Sequence, residues 1–229
     1  MNSEVDRPSG TRAGGVDGGS IPGEPWAMTS AIAIFRDMLK SQIGPMIREH
    51  GFRGTAPTWQ IRSAYGDYGS VNFQSSSETT HEQVLFYINL GYTPQAWFDF
   101  QSNTTGGKPK RGYEFLKDRL YTDDEPRALE NQRWSITDHE SAIETARRVT
   151  DRLNQVGLPQ INSWLDPSNR IKQLTTFNSD LARVLILTDC GPSSELDDAI
   201  KALKTGPLSD RQPLVDQVVR WVQERTVNS

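Results

Sequence analysis

The chain has 229 residues with a formal net charge of −4, enough length for one full domain plus an appendage but without the basic footprint of a dedicated nucleic-acid binder. Arginine outnumbers lysine 18 to 7, which suits phosphate or carboxylate recognition through the guanidinium fork and equally reflects a GC-rich coding sequence. The single cysteine, Cys190, cannot close an intramolecular disulfide, and the longest apolar runs, Ala31–Phe35 and Val84–Ile88, are five residues long; these features fit a cytoplasmic protein with no membrane span or export signal.

Residues 1–27 hold six glycines and three prolines, a composition expected to stay disordered because it buries too little apolar surface to offset the entropy of ordering. Met28 follows as a candidate start of translation. From Thr29 the apolar residues Ile32, Phe35, Leu39, Ile43, Met46 and Ile47 recur at helical spacing. Pro45 is expected to kink this helix or split off its last turn, and Gly51 to end it in a left-handed cap.

Three strands are expected next, Thr58–Ala64, Ser70–Ser75 and Gln83–Gly91, joined as a β-meander by short connections rich in turn residues. Period-two alternation sends Trp59, Ile61, Val71, Phe73, Val84, Phe86, Ile88 and Leu90 to one face, packed on the first helix. The other face then receives Gln60, Arg62, Asn72, Gln74, Leu85, Tyr87 and Asn89. Segment 93–137 reads as a loop around Gly106 and Gly107, a short piece near Tyr113–Leu120 and a strand at Arg133–Ile136.

A helix opens at Asp138 as N-cap, carries Ile143, Ala146, Val149, Leu153 and Val156 on one side, and is expected to close at Gly157 with Pro159 after it. A turn around Ile161–Leu165 and a helix around Pro167–Leu174 complete the first unit. The remainder reads as three helices, Ser179–Asp189, Ser194–Lys204 and Arg211–Thr226, the last with Leu214, Val215, Val218, Val219 and Val222 as an apolar side. The organisation is therefore a tail (1–27), an α+β domain (28–176) with an antiparallel β-meander sheet packed against helices, and a C-terminal helical extension (177–229).

No motif supplies catalytic chemistry. The basic stretch around Lys108, Lys110 and Arg111 lacks the Ser or Thr and the spaced glycine of a phosphate loop. The run from Arg111 to Asp118 departs from the RNA-recognition signature at Glu114 and Asp118. His50, His81 and His139 have no ligand partners at metal-binding spacing, Cys190 at the end of "ARVLILTDC" reads as a small buried hydrophobe, and no serine sits in a nucleophile elbow. The acids Asp123, Asp124, Glu125, Asp197 and Asp198 suit a loop and a helix N-terminus. The tryptophans are expected in or at the edge of the core, each indole N–H with an acceptor.

The motifs "IGPMIREHGF", "TW", "VNFQSSS", "FYINLGY", "RWSI" and "VGLP" occur in order between Ala31 and Leu174, and with them the chain resembles the domain of unknown function 4304 (DUF4304) family of bacterial proteins. The resemblance implies an α+β fold and carries over no activity or catalytic residue. Two departures stand out: the stretch after Gly51–Phe52 has Arg53 as its sole basic residue, and the helices after Thr176 lie outside the resemblance.

The expected function is binding to another protein through the polar sheet face, with Arg62, Asn72, Gln74, Tyr87 and Asn89 as candidate binding residues. Neutralisation of a partner, as by an immunity protein, is one form of it. Neither cofactor nor metal, nucleic acid nor membrane is expected, and the oligomeric state is open. Two alternatives stand beside this reading: a pocket in which Arg62, Gln74 and Asn89 hold a small anionic or amide-bearing ligand or substrate, and a face merely covered by segment 93–137.

Overall fold

The structure is a computed structural model that describes residues 30–105, 115–122, 133–169 and 180–227. The expected disordered tail, the glycine and lysine-rich loop at 106–111, the acids at 123–125, the helix beyond residue 169 and the domain boundary at 176/177 lie outside the described residues.

Ser30 caps the first helix, its hydroxyl accepting from the Ala33 N–H at 3.3 Å. Helix α1 (Ala31–Met38) runs through a π-helical turn (Leu39–Ile43) into α2 (Gly44–Glu49), and Gly51 ends it at φ 85°. In the wide turn the Gly44 N–H bonds back to the Leu39 carbonyl, five residues away. This opening admits Pro45, whose ring would otherwise strike the preceding turn.

The sheet has the order β1 (Arg53–Thr55), β2 (Thr58–Arg62), β3 (Tyr68–Ser75), β4 (Val84–Thr93), β5 (Leu116–Arg119), all antiparallel, and β6 (Trp134–Ile136) also pairs with β4. β5 pairs along Asn89–Tyr92 and β6 along Val84–Phe86, while the Leu120 N–H donates to the Ile88 carbonyl between them. β5 and β6 are thus two halves of one strand, with the chain leaving the sheet between them. The meander expected from the sequence is present, extended by the short edge strand β1.

Helix α3 (Gln95–Thr105) follows β4 directly, an element that the sequence reading of segment 93–137 did not include. Helix α4 (His139–Arg152) opens with a reciprocal cap, Asp138 Oδ1 accepting from the Ser141 N–H at 2.8 Å and Ser141 Oγ from the Asp138 N–H at 2.9 Å. The bond from the Ser141 N–H, helped by the Ser141 and Thr137 hydroxyls, holds the exposed Asp138 carboxyl below the usual aspartate range. The chain does not stop at Gly157 as expected. A second π-helical turn (Leu153–Gly157) carries it into α5 (Leu158–Leu165), so Ile161–Leu165 is helical rather than a turn. Pro159 follows this turn at the same two-residue interval as Pro45 follows the first, and Gly157 sits at φ −66°, close to Leu153, Leu120 and Leu90. The glycine serves close packing on the sheet rather than a helix end. A 3-10 turn (Pro167–Asn169) follows, then α6 (Asp180–Asp189), α7 (Ser194–Thr205) and α8 (Gln212–Val227).

Two cores result. The first lies between the sheet and α1, α4 and α5, with Trp59, Phe73, Phe86 and Trp134 buried against Phe35, Ile47, Val149 and Ile161. α5 presses so closely on β3 that a methyl group on Gly69 would overlap Ile161. On α4 the buried stripe is Ala142, Thr145, Ala146, Val149, and Ile143 is 62% exposed, contrary to its expected place on the apolar side. The second core joins α3 to the C-terminal helices through Ala96, Phe100, Val184, Leu185, Val218 and Trp221. Ala182 and Ile186 of α6 reach the first core, so α6 is apolar on two sides. The apolar side of α8 is buried within the chain, and Arg225 fixes its end with ion pairs to Asp99 (3.0 Å) and Asp189 (3.1 Å). Cys190, expected to be buried, is exposed at the end of α6. Trp134 donates its indole N–H to the Leu120 carbonyl at 3.1 Å, whereas Trp59 and Trp97 have no acceptor for theirs among the described residues, against the expectation for buried indoles.

Candidate functional site

The sheet registers align polar side chains into rows across its outer face. One row runs Arg119, Asn89, Asn72, Thr58, Thr55 from β5 to β1, and the next runs Lys117, Gly91, Ser70, Gln60, Arg53. Tyr87 and Gln74 pair in a third row, and Arg62 pairs with Tyr68 near the end where α3 begins. All five residues singled out from the sequence therefore share one face.

The amides hold one another. Asn89 Nδ2 donates to Asn72 Oδ1 at 3.3 Å and to Gln74 Oε1 at 2.9 Å, and Asn72 Nδ2 donates to Thr58 Oγ1 at 2.8 Å. Asn72 and Asn89 are half-buried and Gln74 is exposed. This lateral ladder fixes the side chains without recourse to backbone groups, so the amides form a surface of set geometry.

Arg62 is fixed at the rim. Its Nε donates to the Gly66 carbonyl at 3.4 Å, its Nη2 to Gln95 Oε1 at 3.3 Å, and its guanidinium carbon lies 5.4 Å from the Tyr68 ring centre. Tyr87 is covered, with the Arg119 guanidinium carbon 4.1 Å above its ring.

Together these rows floor an open trough of about 1190 Å³ lined by Arg62, Asn72, Gln74 and Asn89, though not by Tyr87. The same trough takes in Arg53 from β1 and Lys117 and Arg119 from β5, which the sequence reading did not single out. The alternation of "LKDR", apolar or paired at Leu116 and Asp118 and cationic at Lys117 and Arg119, was the available signal. Among the described residues the lining thus carries four cations, Arg53, Arg62, Lys117 and Arg119, against one carboxylate. That carboxylate, Asp118, is engaged by Gln160 Nε2 and the Arg119 N–H, each at 2.7 Å. A locally cationic trough on a chain of net charge −4 is a local field rather than a consequence of composition.

Among the described residues the lining includes no histidine, cysteine or serine. Among the described residues no group of three or more His, Cys, Asp or Glu is placed to hold a metal ion, and no helix is long and apolar enough to cross a membrane.

A family model described as a domain of unknown function, DUF4304, matches residues 43–165, more than half of the chain. The chain belongs to the DUF4304 family. No curated protein and no solved structure matched it. In this DUF4304 member the matched span begins at the end of the first π-helical turn and closes with α5, so it takes in the whole sheet and every lining residue of the trough. It leaves out α1 and the helices α6, α7 and α8.

Proposed function

We propose that this DUF4304 protein is a non-catalytic binding module that receives another protein on the polar face of its sheet, in the cytoplasm of a bacterial cell. The observation that carries the reading is the amide ladder of Asn72, Gln74 and Asn89, set in an open trough and flanked by four cations. Fixed amides offer paired donors and acceptors to a partner's main chain at low entropic cost, because the ladder already orders them. The trough volume of about 1190 Å³ exceeds the roughly 300–1,000 Å³ usual for small-molecule sites. Its lining offers no nucleophile with a base beside it, which weighs against an enzyme. A partner-neutralising role is one biological form this module could take.

The reading is tested by placing a photo-crosslinking residue at Thr55, an exposed position in the trough lining, and in a separate protein at Glu144, exposed on α4 away from it. Irradiation in the native host is expected to give a discrete protein adduct from Thr55 that is absent from Glu144. Equal adducts from both positions, or none from Thr55, would overturn the reading.

A further inference from the structure

The cations of the trough are not gathered at one point. Arg119 stands on β5 at one end of the Asn89–Asn72–Thr58 row, and Arg53 stands on β1 at the far end of the neighbouring row. Four strand intervals separate these edges, a distance of about 19 Å at the usual spacing of about 4.8 Å. Between them the ladder leaves N–H groups unused: among the described residues Gln74 Nε2 donates no bond, and Asn72 Nδ2 donates only to Thr58. Arg53 has no hydrogen-bond or ion-pair partner among the described residues. The face is therefore donor-rich in its middle and cationic at both edges.

We infer that the partner presents an extended acidic segment that lies across the strands, with carboxylates six residues apart that reach Arg53 at one edge and Arg119 at the other. This rests on the protein-binding reading above and specifies what is bound. An extended chain advances about 3.3 Å per residue and points alternate side chains to opposite sides, so residues i and i+6 face the same way about 20 Å apart. That length matches the separation of the cationic edges. The segment's main-chain carbonyls then accept from the unused amide N–H groups, and its acids meet Arg53 and Arg119.

Other occupants fit less well. A single small anion would draw on the β5 pair Lys117 and Arg119 alone, since Arg62 is already bonded to the Gly66 carbonyl and Gln95 and Arg53 stands on the opposite edge. A nucleic-acid strand would need successive stacking platforms, but the Tyr87 ring lies under Arg119 and the Tyr68 ring packs at 4.9 Å against Phe98, which leaves Tyr121 as a single aromatic among the described lining residues. The net charge of −4 also opposes a long polyphosphate at a distance, while a short acidic segment senses mainly the local cations.

The test uses fluorescence anisotropy at low salt with the full chain and three labelled probes of equal charge. One is a Ser/Gly peptide with two pairs of glutamates spaced six residues apart, another has the same glutamates contiguous, and the last is an oligothymidylate. The spaced peptide is expected to bind about fivefold tighter than the contiguous one. Arg53→Gln and Arg119→Gln should each weaken it by about threefold to fivefold, the range of a partly exposed charge pair, and abolish the spacing preference, with circular dichroism unchanged. Equal binding of the two peptides, tighter binding of the oligothymidylate, indifference to both substitutions, or no measurable binding of the spaced peptide would each overturn the inference. An intact Thr55 adduct beside any of those results would sink the acidic segment alone and leave the protein-binding reading standing. Loss of the adduct as well would remove both.

Discussion

Phe86→Ala is expected to lower stability by about 3–5 kcal/mol, the range for removing a large ring from a close-packed core. Phe86 is fully buried on β4, the strand that pairs with β3, β5 and β6. Its ring centre lies 4.8 Å from Phe35, 6.0 Å from Phe73 and 6.4 Å from Trp134. The ring therefore joins α1, two strands and the returning half-strand β6, and its neighbours are themselves rigid rings that cannot collapse into the space. Each lost aromatic pair adds about 0.5–1.5 kcal/mol beyond simple burial. Urea denaturation should show a much lower midpoint at unchanged slope. A loss under about 1 kcal/mol would mean that the core is not packed around this ring.

Asp67→Ala is expected to cost about 3 kcal/mol, since one buried and one half-buried donor lose their carboxylate acceptor at about 1–3 kcal/mol each. Asp67 is 2% exposed in the β2–β3 connection. Its Oδ2 accepts from the Tyr92 hydroxyl at 3.0 Å and its Oδ1 from the Gln95 N–H at 2.9 Å, so a single carboxylate ties the connection to the end of β4 and the first turn of α3. The neighbouring Gly66 carbonyl and the Gln95 side chain hold Arg62, so the substitution should also loosen that rim of the trough. Asp67→Asn keeps one acceptor for the Gln95 N–H and should recover about half of the loss by the same reasoning. Equal midpoints for Asp67→Ala and the unsubstituted protein would show that α3 is held without this link.

The strands that carry the amides were legible because β3 and β4 are eight and ten residues long, enough for alternation to separate their faces. β1 and β5 have three and four residues, short runs in which a period is easily missed; the three-residue β6 was legible as the strand expected at Arg133–Ile136, but that it and β5 form one strand emerges only in space. This is why Arg53, Lys117 and Arg119 escaped the sequence reading while Asn72, Gln74 and Asn89 did not. α3 was hidden for a different reason: its last four residues, Ser102–Thr105, are weak helix formers, and the acceptor for its first N–H comes from Asp67, distant in sequence. At Gly157 and Pro159 the local stop signal was real but was overridden by the wide turn and by close packing on Leu90 and Leu120. Ile143 was placed on the apolar side because it stands at helical spacing from Ala146, whereas the narrow gap beneath α4 takes Ala142 and Ala146.

The central claim, that the amide face is a surface for a partner rather than a brace for the fold, is tested most directly by Asn72→Ala with Gln74→Ala in the protein that carries the Thr55 crosslinker. Both side chains border an open trough where water can replace the lost bonds. The double substitution should therefore cost no more than about 1 kcal/mol in denaturant, while the Thr55 adduct is lost. A fall of about 3 kcal/mol or more, as expected when buried partners are left unsatisfied, with the adduct undiminished, would contradict the claim.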